Sequence, residues 1–291
     1  GTGAWAQISG PNSANFVDVA DPATVVDNLI NGTYVFEWTT TEGFCTSVDQ
    51  VTVQNDALPT TAFAGIDQTI CLFQPIILSG NPPVSGMGYW TQTAGPVSVF
   101  ILSPTSPSTQ VIGAIDGSYT FRWTISNGTC PVSVDDVDIT ILELPTIANA
   151  GPDQFLCNTN TANMNANTAI VGTGTWTIVF GGTGAAIAGA NDPLTIVNNL
   201  PVGLTRLRWT ISNGVCTDYF DEVNITRYPD FTVTGPSAIN SICNGGTQTL
   251  TVVASGGSGP YTYQWYSSTT GGAPWTIIGG AINASYTTPA L

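Results

Sequence analysis

The sequence has no lysine and no histidine, and its basic side chains are Arg122, Arg206, Arg208 and Arg227. Those absences exclude a Ser/His or Cys/His catalytic pair, a Schiff-base lysine and a phosphate-cradling P-loop lysine. They also exclude a Lys–Asn isopeptide cross-link. Charged residues make up only 8% of the chain, with 19 acidic side chains setting a net charge of −15. Such a chain lacks the basic footprint that neutralises phosphates or settles on anionic lipid, so nucleic acid and membrane surfaces are poor partners. It stays soluble and repels its own copies. No apolar run approaches the roughly 18 residues of a membrane span, and the opening GTGAWAQ shows neither a charged nor an apolar targeting region. With no CxxC spacing and no histidine, no zinc site is expected. No helical period stands out.

What the chain does have is glycine (32), proline (19) and ample material to bury: eight Trp, nine Tyr and eleven Phe. That aromatic content, with many Val, Ile and Thr, argues for folded, β-rich domains rather than a disordered chain. Its 291 residues suggest two to four units at roughly 100–200 residues per domain.

A repeat can be counted. FRWTISNGTC at 121–130 returns as LRWTISNGVC at 207–216, identical at eight of ten positions. Trp5, Trp90 and Trp176 stand 85 and 86 residues apart, and so do Trp38, Trp123 and Trp209, and Cys45, Cys130 and Cys216. Cys71, Cys157 and Cys243 add two steps of 86. Pro59, Pro145 and Pro229 mark the seams, where a missing N–H and a fixed φ suit a short stiff connector. The expected units are 1–57, 58–144, 145–230 and 231–291. GTGAWAQ aligns with GMGYWTQ and GTGTWTI in the middle of the second and third units, and SYTTPAL stops short of a Trp-Cys element. The first and last units are therefore expected to be partial, and the chain a window on a longer array.

Within a unit the pattern has period 2. Tyr119, Phe121, Trp123 and Ile125 alternate with Thr120, Arg122 and Thr124, and Val137, Ile139 and Ile141 alternate with Asp136, Asp138 and Thr140, as half-buried strands do. QPIILSG, GYWTQT and STQVIGA are further short strands. Five to seven strands in about 85 residues predict an all-β fold: tandem immunoglobulin-like two-sheet sandwiches. The step from Trp38 to Val51 is 13 residues, whereas those from Trp123 to Val137 and Trp209 to Val223 are 14. Since both faces keep their pattern, the extra residue should be absorbed in a bulge or an irregular loop around the NG, not in a two-residue hairpin.

The motifs AGIDQTIC, AGPDQFLC and GSYTFRWTISNGTC resemble the PKD-like and immunoglobulin-like repeats of very large Bacteroidota surface adhesins and gliding-motility proteins. SICNGGTQTLTVVASGGSGPYTYQWYSS looks like a neighbouring repeat type of that class. The resemblance spans essentially the whole chain and implies an exported, type IX-secreted cell-surface protein built as an elongated array of PKD-like sandwiches.

Six regularly spaced cysteines suggest an oxidising compartment. The default pairing lies within a unit, Cys71 with Cys130 and Cys157 with Cys216, each separated by 59 residues. The PKD-like topology implied by the resemblance puts the first cysteine of a unit at one end of the sandwich and the second at the other, roughly 33 Å away for a ten-residue strand. A disulfide needs Cα atoms within about 7 Å. The preferred pairing is therefore interdomain, Cys71 with Cys216. The intradomain pairs and free or interchain thiols stay as alternatives.

Asp135, Asp136 and Asp138, or Asp221 and Glu222, could serve carboxylate chemistry, but a solvated strand face is the simpler reading. Arg122 and Arg208 should face acidic residues of the following strand, with Glu37 at that place in the first unit; exposed pairs contribute only about 0–1 kcal/mol. Calcium could sit near Asp67 or Asp153, although no EF-hand spacing is present. The periodic Trp5, Trp38, Trp90, Trp123, Trp176 and Trp209 are assigned to the core. Trp265 and Trp275 break the period and are the candidates for ligand contact. Sequons at Asn31, Asn127, Asn224 and Asn283 read as chance in an Asn- and Thr-rich chain. No enzyme and no cofactor is expected. The chain reads as a stalk or filament segment carrying a distal adhesive region from a bacterial cell surface, with neighbouring repeats, surface glycans or cell-surface proteins as partners. The alternative is a set of carbohydrate- or protein-binding modules, accessory to a secreted enzyme.

Overall fold

A computed structural model describes residues 1–236 and 241–290. Among them the chain is strands, turns and connectors with no helix. It divides into two compact units, Gly1–Glu143 and Leu144–Leu291.

The first unit opens with β1 (Thr2–Ser9), β2 (Asn15–Phe16), β3 (Val26–Asp27), β4 (Gly32–Glu42) and β5 (Cys45–Asn55), arranged as a sheet β1-β4-β5 and a pair β2-β3. It continues with β6 (Gln68–Cys71), β7 (Ile76–Ser79), β8 (Met87–Ala94), β9 (Phe100–Ile101), β10 (Ser108–Ile112), β11 (Gly117–Ser126) and β12 (Ser133–Leu142). These form one sheet β6-β12-β11-β8 and another β7-β10-β9. The two sheets share one core that includes Leu78, Val111, Phe121, Trp123 and Val137, the arrangement of an immunoglobulin-like sandwich.

The second unit repeats that plan. β13 (Gln154–Leu156), β14 (Ala162–Asn163), β15 (Thr173–Phe180), β16 (Ala186–Ile187), β17 (Ile196–Asn198), β18 (Gly203–Ser212) and β19 (Tyr219–Arg227) build sheets β13-β19-β18-β15 and β14-β17-β16. β20 (Thr232–Thr234), β21 (Thr249–Thr251), β22 (Val253–Ser255), β23 (Tyr266–Ser267), β24 (Thr276–Ile277) and β25 (Ser285–Thr287) follow as three two-stranded pairs, β20-β22, β21-β25 and β23-β24.

The period-2 pattern explains the packing. On β11, Tyr119, Phe121, Trp123 and Ile125 are buried while Thr120, Arg122 and Thr124 lie on the other face. Each such buried side chain contributes about 1.5–3 kcal/mol relative to exposure. Phe121 pairs with Val137 and Leu207 with Val223, whereas Phe36 pairs with Val51, so the same faces meet in all three repeats. The extra residue of the second and third repeats is absorbed in the loops that carry their NG, as expected, and the first repeat, which has neither, turns more tightly. There Glu42 pairs directly with Cys45, leaving Gly43 and Phe44 as a two-residue hairpin with Gly43 at a positive φ of 61°, a conformation that favours glycine.

One anchoring contact escaped the sequence reading. The buried Tyr119 hydroxyl accepts the Ile115 N–H at 3.0 Å and donates to the Ile115 carbonyl at 3.2 Å. Tyr34 likewise accepts the Ile30 N–H, at 2.8 Å, and its single proton is shared between the Ile30 carbonyl, at 3.1 Å, and Asn12 Oδ1. This tyrosine corner fixes the approach to the strand. The third repeat has Thr205 there, 1% exposed, with a hydroxyl that finds no partner.

Candidate functional site

The tryptophans meet in cross-strand pairs. Trp90 lies opposite Trp123 with ring centroids 5.0 Å apart, and Trp176 lies opposite Trp209 at 5.1 Å. All four are at most 1% exposed. Trp123 and Trp209 donate their indole N–H groups to the carbonyls of Asn81 and Asn167 at 3.1 and 3.2 Å. Trp90 donates to Pro107 at 3.2 Å. These rings are core, with no face left for a sugar. A close approach makes room for them: a Cβ on Gly88 would lie 2.0 Å from Trp123 Cζ2, and one on Gly174 at the same distance from Trp209.

Trp5 and Trp38 repeat the pairing at 5.2 Å, but the core expectation needs correcting for them, because both are only half-buried. Val51 is 43% exposed where its counterparts Val137 and Val223 are 1%. The cause is topological. β12 and β19 are flanked by β6 and β13, whereas β5 has no such neighbour among the described residues.

The outward faces carry ion pairs. Arg122 grips Asp136 with two bonds of 2.8 Å; the bond from the guanidinium is the main reason the Asp136 carboxyl is held below its usual range. Arg208 reaches Glu222 at 2.6 Å and its guanidinium carbon stands 4.1 Å from the Phe220 ring centre. Arg206 joins the same glutamate at 3.5 Å. Glu37 instead accepts a bond from Gln50 at 2.7 Å. Solvent screening leaves these exposed pairs little weight in the stability of the fold.

Asp135 and Asp221 were expected on the solvated face, and here the structure corrects the sequence. They sit on the inward side of the register, opposite Trp123 and Trp209. Each accepts a backbone N–H from the segment that leads into the sandwich: Ala64 to Asp135 at 2.7 Å, and Ala150 to Asp221 at 2.8 Å. They are structural acceptors. Asp67 and Asp153, weighed for calcium, accept the backbone N–H of Asp138 at 2.9 Å and of Asn224 at 2.8 Å. The bonds from Asn224, backbone first and side chain second, hold the Asp153 carboxyl below its usual range. Among the described residues no group of three His, Cys, Asp or Glu is placed to hold a metal ion.

The two candidates for ligand contact part company. Trp265 is half-buried against Tyr286, 5.9 Å between ring centres, and donates its N–H to Asn283 at 2.8 Å. Trp275 is 59% exposed. An open depression of about 360 Å³ lies elsewhere in the same unit, lined by residues including Asn158, Phe231 and Tyr261. Another, of about 400 Å³, lies beside the β4–β5 hairpin, with Trp38, Glu42 and Ser47 in its wall.

Cys71 and Cys216 are in the disulfide state. Cys45, Cys130, Cys157 and Cys243 are free thiols, so neither intradomain pair is formed. The parallel register explains why. Cys71 is aligned with Leu142 at the far end of β12, while Cys130 precedes Ser133 at its start. The separation along the strand is roughly 30 Å, far beyond the span of a disulfide. Cys130 donates its S–H to the Asp56 carbonyl at 3.4 Å. Beside it Asn127, one of the sequon residues, donates to the Ala57 carbonyl at 2.8 Å. The loop between β11 and β12 thus caps the connector from the preceding repeat.

The sequence pattern of the K319L-like PKD domain matches residues 64–141. Residues 234–291 match a domain of unknown function, DUF8696. No curated protein matches the chain. Among solved structures, the PKD domain from the KIAA 1837 protein is 23% identical, covering 31% of this chain and 92% of that one, with a TM-score of 0.26. Titin domains I67–I69, as an E-to-A mutated variant, are 11% identical over 77% of this chain and 87% of theirs, at a TM-score of 0.48. The N-terminal eight Ig domains of Down Syndrome Cell Adhesion Molecule are 10% identical over 100% of this chain and 40% of theirs, at 0.37. The sandwiches are PKD- and immunoglobulin-like.

Proposed function

We propose that the chain is a stalk segment of a long secreted adhesin of the bacterial cell surface, in which tandem PKD-like sandwiches hold an adhesive region away from the cell. The observation that carries this reading is where the aromatic side chains go. In the second and third repeats all four periodic tryptophans are buried, and the outward sheet faces carry arginine–carboxylate pairs. Such modules extend and space; they offer little to a ligand. Repeat stability then comes from each core plus nearest-neighbour contacts of the kind Asn127 makes with Ala57. Electron microscopy of a multi-repeat fragment tests this, with the expected outcome a rod that grows by roughly 35–40 Å per repeat. Binding of isolated second or third repeats on a glycan array would count against it.

The same reading makes Cys71 and Cys216 each other's partner, a covalent staple between consecutive repeats that would keep the array in line in an oxidising medium. Non-reducing peptide mapping should recover a Cys71–Cys216 cross-link and alkylated Cys45, Cys130, Cys157 and Cys243. Recovery of Cys71 with Cys130 would remove the staple while leaving the stalk.

A second reading, a carbohydrate- or protein-binding module accessory to a secreted enzyme, is favoured only at 231–291, where Trp275 is exposed. Loss of glycan or protein binding on Trp275→Ala would support it.

A further inference from the structure

The sheet β13-β19-β18-β15 of the third repeat turns one face to its core and the other outward. The register sets Leu204, Thr226 and Phe155 in one row across the outward face, Phe180 opposite Arg206 in the next, and Phe220 opposite Thr210 further along. Phe155, Phe180 and Phe220 are 68%, 59% and 56% exposed, and Leu204 is 38% exposed. Apolar side chains exposed singly are ordinary, but several on one flat face mark a surface that another molecule covers.

The second repeat is the control. Its sheet has the same four strands in the same register, and at the equivalent positions it carries Thr69, Ala94, Ser118 and Val134. The fold alone therefore does not call for phenylalanine there. Charge differs as well. In the second repeat Arg122 stands among Asp136, Asp138 and, at the sheet edge, Asp67. In the third, Arg206 and Asn224 take the places of Thr120 and Asp138, so two arginines stand with two carboxylates, Glu222 and Asp153. This face is locally neutral in a chain of net charge −15.

We infer that two copies of the chain associate side by side through this face, third repeat against third repeat, about a two-fold axis. An isologous contact lays the patch on itself, so apolar side chains meet apolar ones and each copy brings both the cations and the carboxylates that the other needs. Because the face is neutral, pairing there avoids the like-charge repulsion that the rest of so acidic a chain would cause. Phenylalanine and arginine are the residue types that interfaces favour, and Arg208 already holds the Phe220 ring at 4.1 Å. The size fits a second copy too. Strands about 4.8 Å apart and up to ten residues long present roughly 500 Å² of sheet, so two faces stacked together bury on the order of 1,000 Å². That is the lower end for a specific interface, and the association is weak. The inference goes beyond the stalk reading: it gives neighbouring stalks a lateral contact.

Sedimentation velocity of the full 291-residue chain from about 1 µM to 1 mM tests this, with free thiols blocked by iodoacetamide so that no interchain disulfide forms. The expected result is a reversible monomer–dimer equilibrium with a Kd on the order of 10–100 µM. Giving the face the second repeat's residues, Phe155→Thr, Phe180→Ala, Leu204→Ser and Phe220→Val together, should weaken it at least about a hundredfold, with unchanged hydrogen exchange at β18 as the check on folding. Phe180→Ala alone should cost about tenfold, which keeps the test open if the fourfold variant fails to fold. Tyr89→Thr with Val134→Thr, on the second repeat's face, should leave the dimer intact. Raising salt from about 0.05 to 0.3 M should tighten the dimer, because it screens the repulsion between two acidic chains and spares the apolar contact. A chain that is monomeric at every concentration, a dimer indifferent to the changes on the third repeat, or one dispersed by those on the second overturns the proposal. So does a dimer that salt disperses, since opposite charges and not this apolar face would then hold it.

Discussion

Replacing Gly88 with alanine tests how tightly the tryptophan pair is held. The new methyl would lie 2.0 Å from Cζ2 and 2.3 Å from Cη2 of Trp123, where carbon atoms want about 3.5–4.0 Å. The ring must therefore move by roughly 1.5 Å. It has little room. Gly80 approaches its other side so closely that a Cβ there would be 3.1 Å away, and Trp90 lies 5.0 Å off. Overpacking of this kind costs about 1–3 kcal/mol, and tilting the indole away from the Asn81 carbonyl adds about 1 kcal/mol. A loss near 3 kcal/mol speeds exchange through local opening by about a hundredfold. Hydrogen exchange of peptides from β11 reads it repeat by repeat, so unfolding elsewhere does not blur the result. Gly174→Ala should do the same to β18, since its methyl would also sit 2.0 Å from the ring. Gly3→Ala makes the equal clash, 2.1 Å from Trp38, yet that half-buried ring can swing outward, and the cost should stay below about 1 kcal/mol. Equal losses at Gly3 and Gly88 would refute the claim that confinement, not contact distance, sets the cost.

Asp135→Ala strands the N–H of the buried Ala64 and should cost about 1–3 kcal/mol, read as faster exchange of that amide, whereas Asp49→Ala should leave the first repeat's stability unchanged. Thr205→Val removes a buried hydroxyl without a partner; stability should hold or rise by about 1 kcal/mol, and a clear loss in denaturant titration would show that the hydroxyl is satisfied. Asp136 and Asp153 have carboxyls held low in the folded state. Their contribution is present above the ordinary carboxylate value of about 3.9 and is lost as pH falls through the lower folded-state value. Asp153→Asn should therefore flatten the acid-side loss of protection at β13 and β19, and an unchanged slope would argue against this assignment.

Much of the sandwich was legible because it is written in alternation and period. The tryptophan pairs, the outward arginines and the shared register all follow from residues 85 or 86 apart. Asp135 and Asp221 escape a reading that puts all the carboxylates alternating with Val and Ile on one solvated face; their position parity with Val137 and Val223 points inward, and counting parity through the strand finds them. The tyrosine corner left a weaker trace, a Tyr four residues before Trp38 and Trp123, and the hydroxyl's role depends on a backbone turn that alternation does not encode. The half-burial of Trp5 and Trp38 could not be read locally, since their own sequence matches that of buried counterparts and the difference lies in what covers them.

The first and last strands of the second sandwich lie side by side and parallel, Gln68 against Ile139 through Cys71 against Leu142, and the third repeats this with Gln154 against Ile225. Tension applied between the two ends of such a repeat pulls neighbouring strands past each other lengthwise. The ladder is then loaded in shear, and its bonds must fail together instead of unzipping one at a time. Forced unfolding is governed by that barrier, not by equilibrium stability. A module of modest thermodynamic stability can thus serve as a mechanically stiff link.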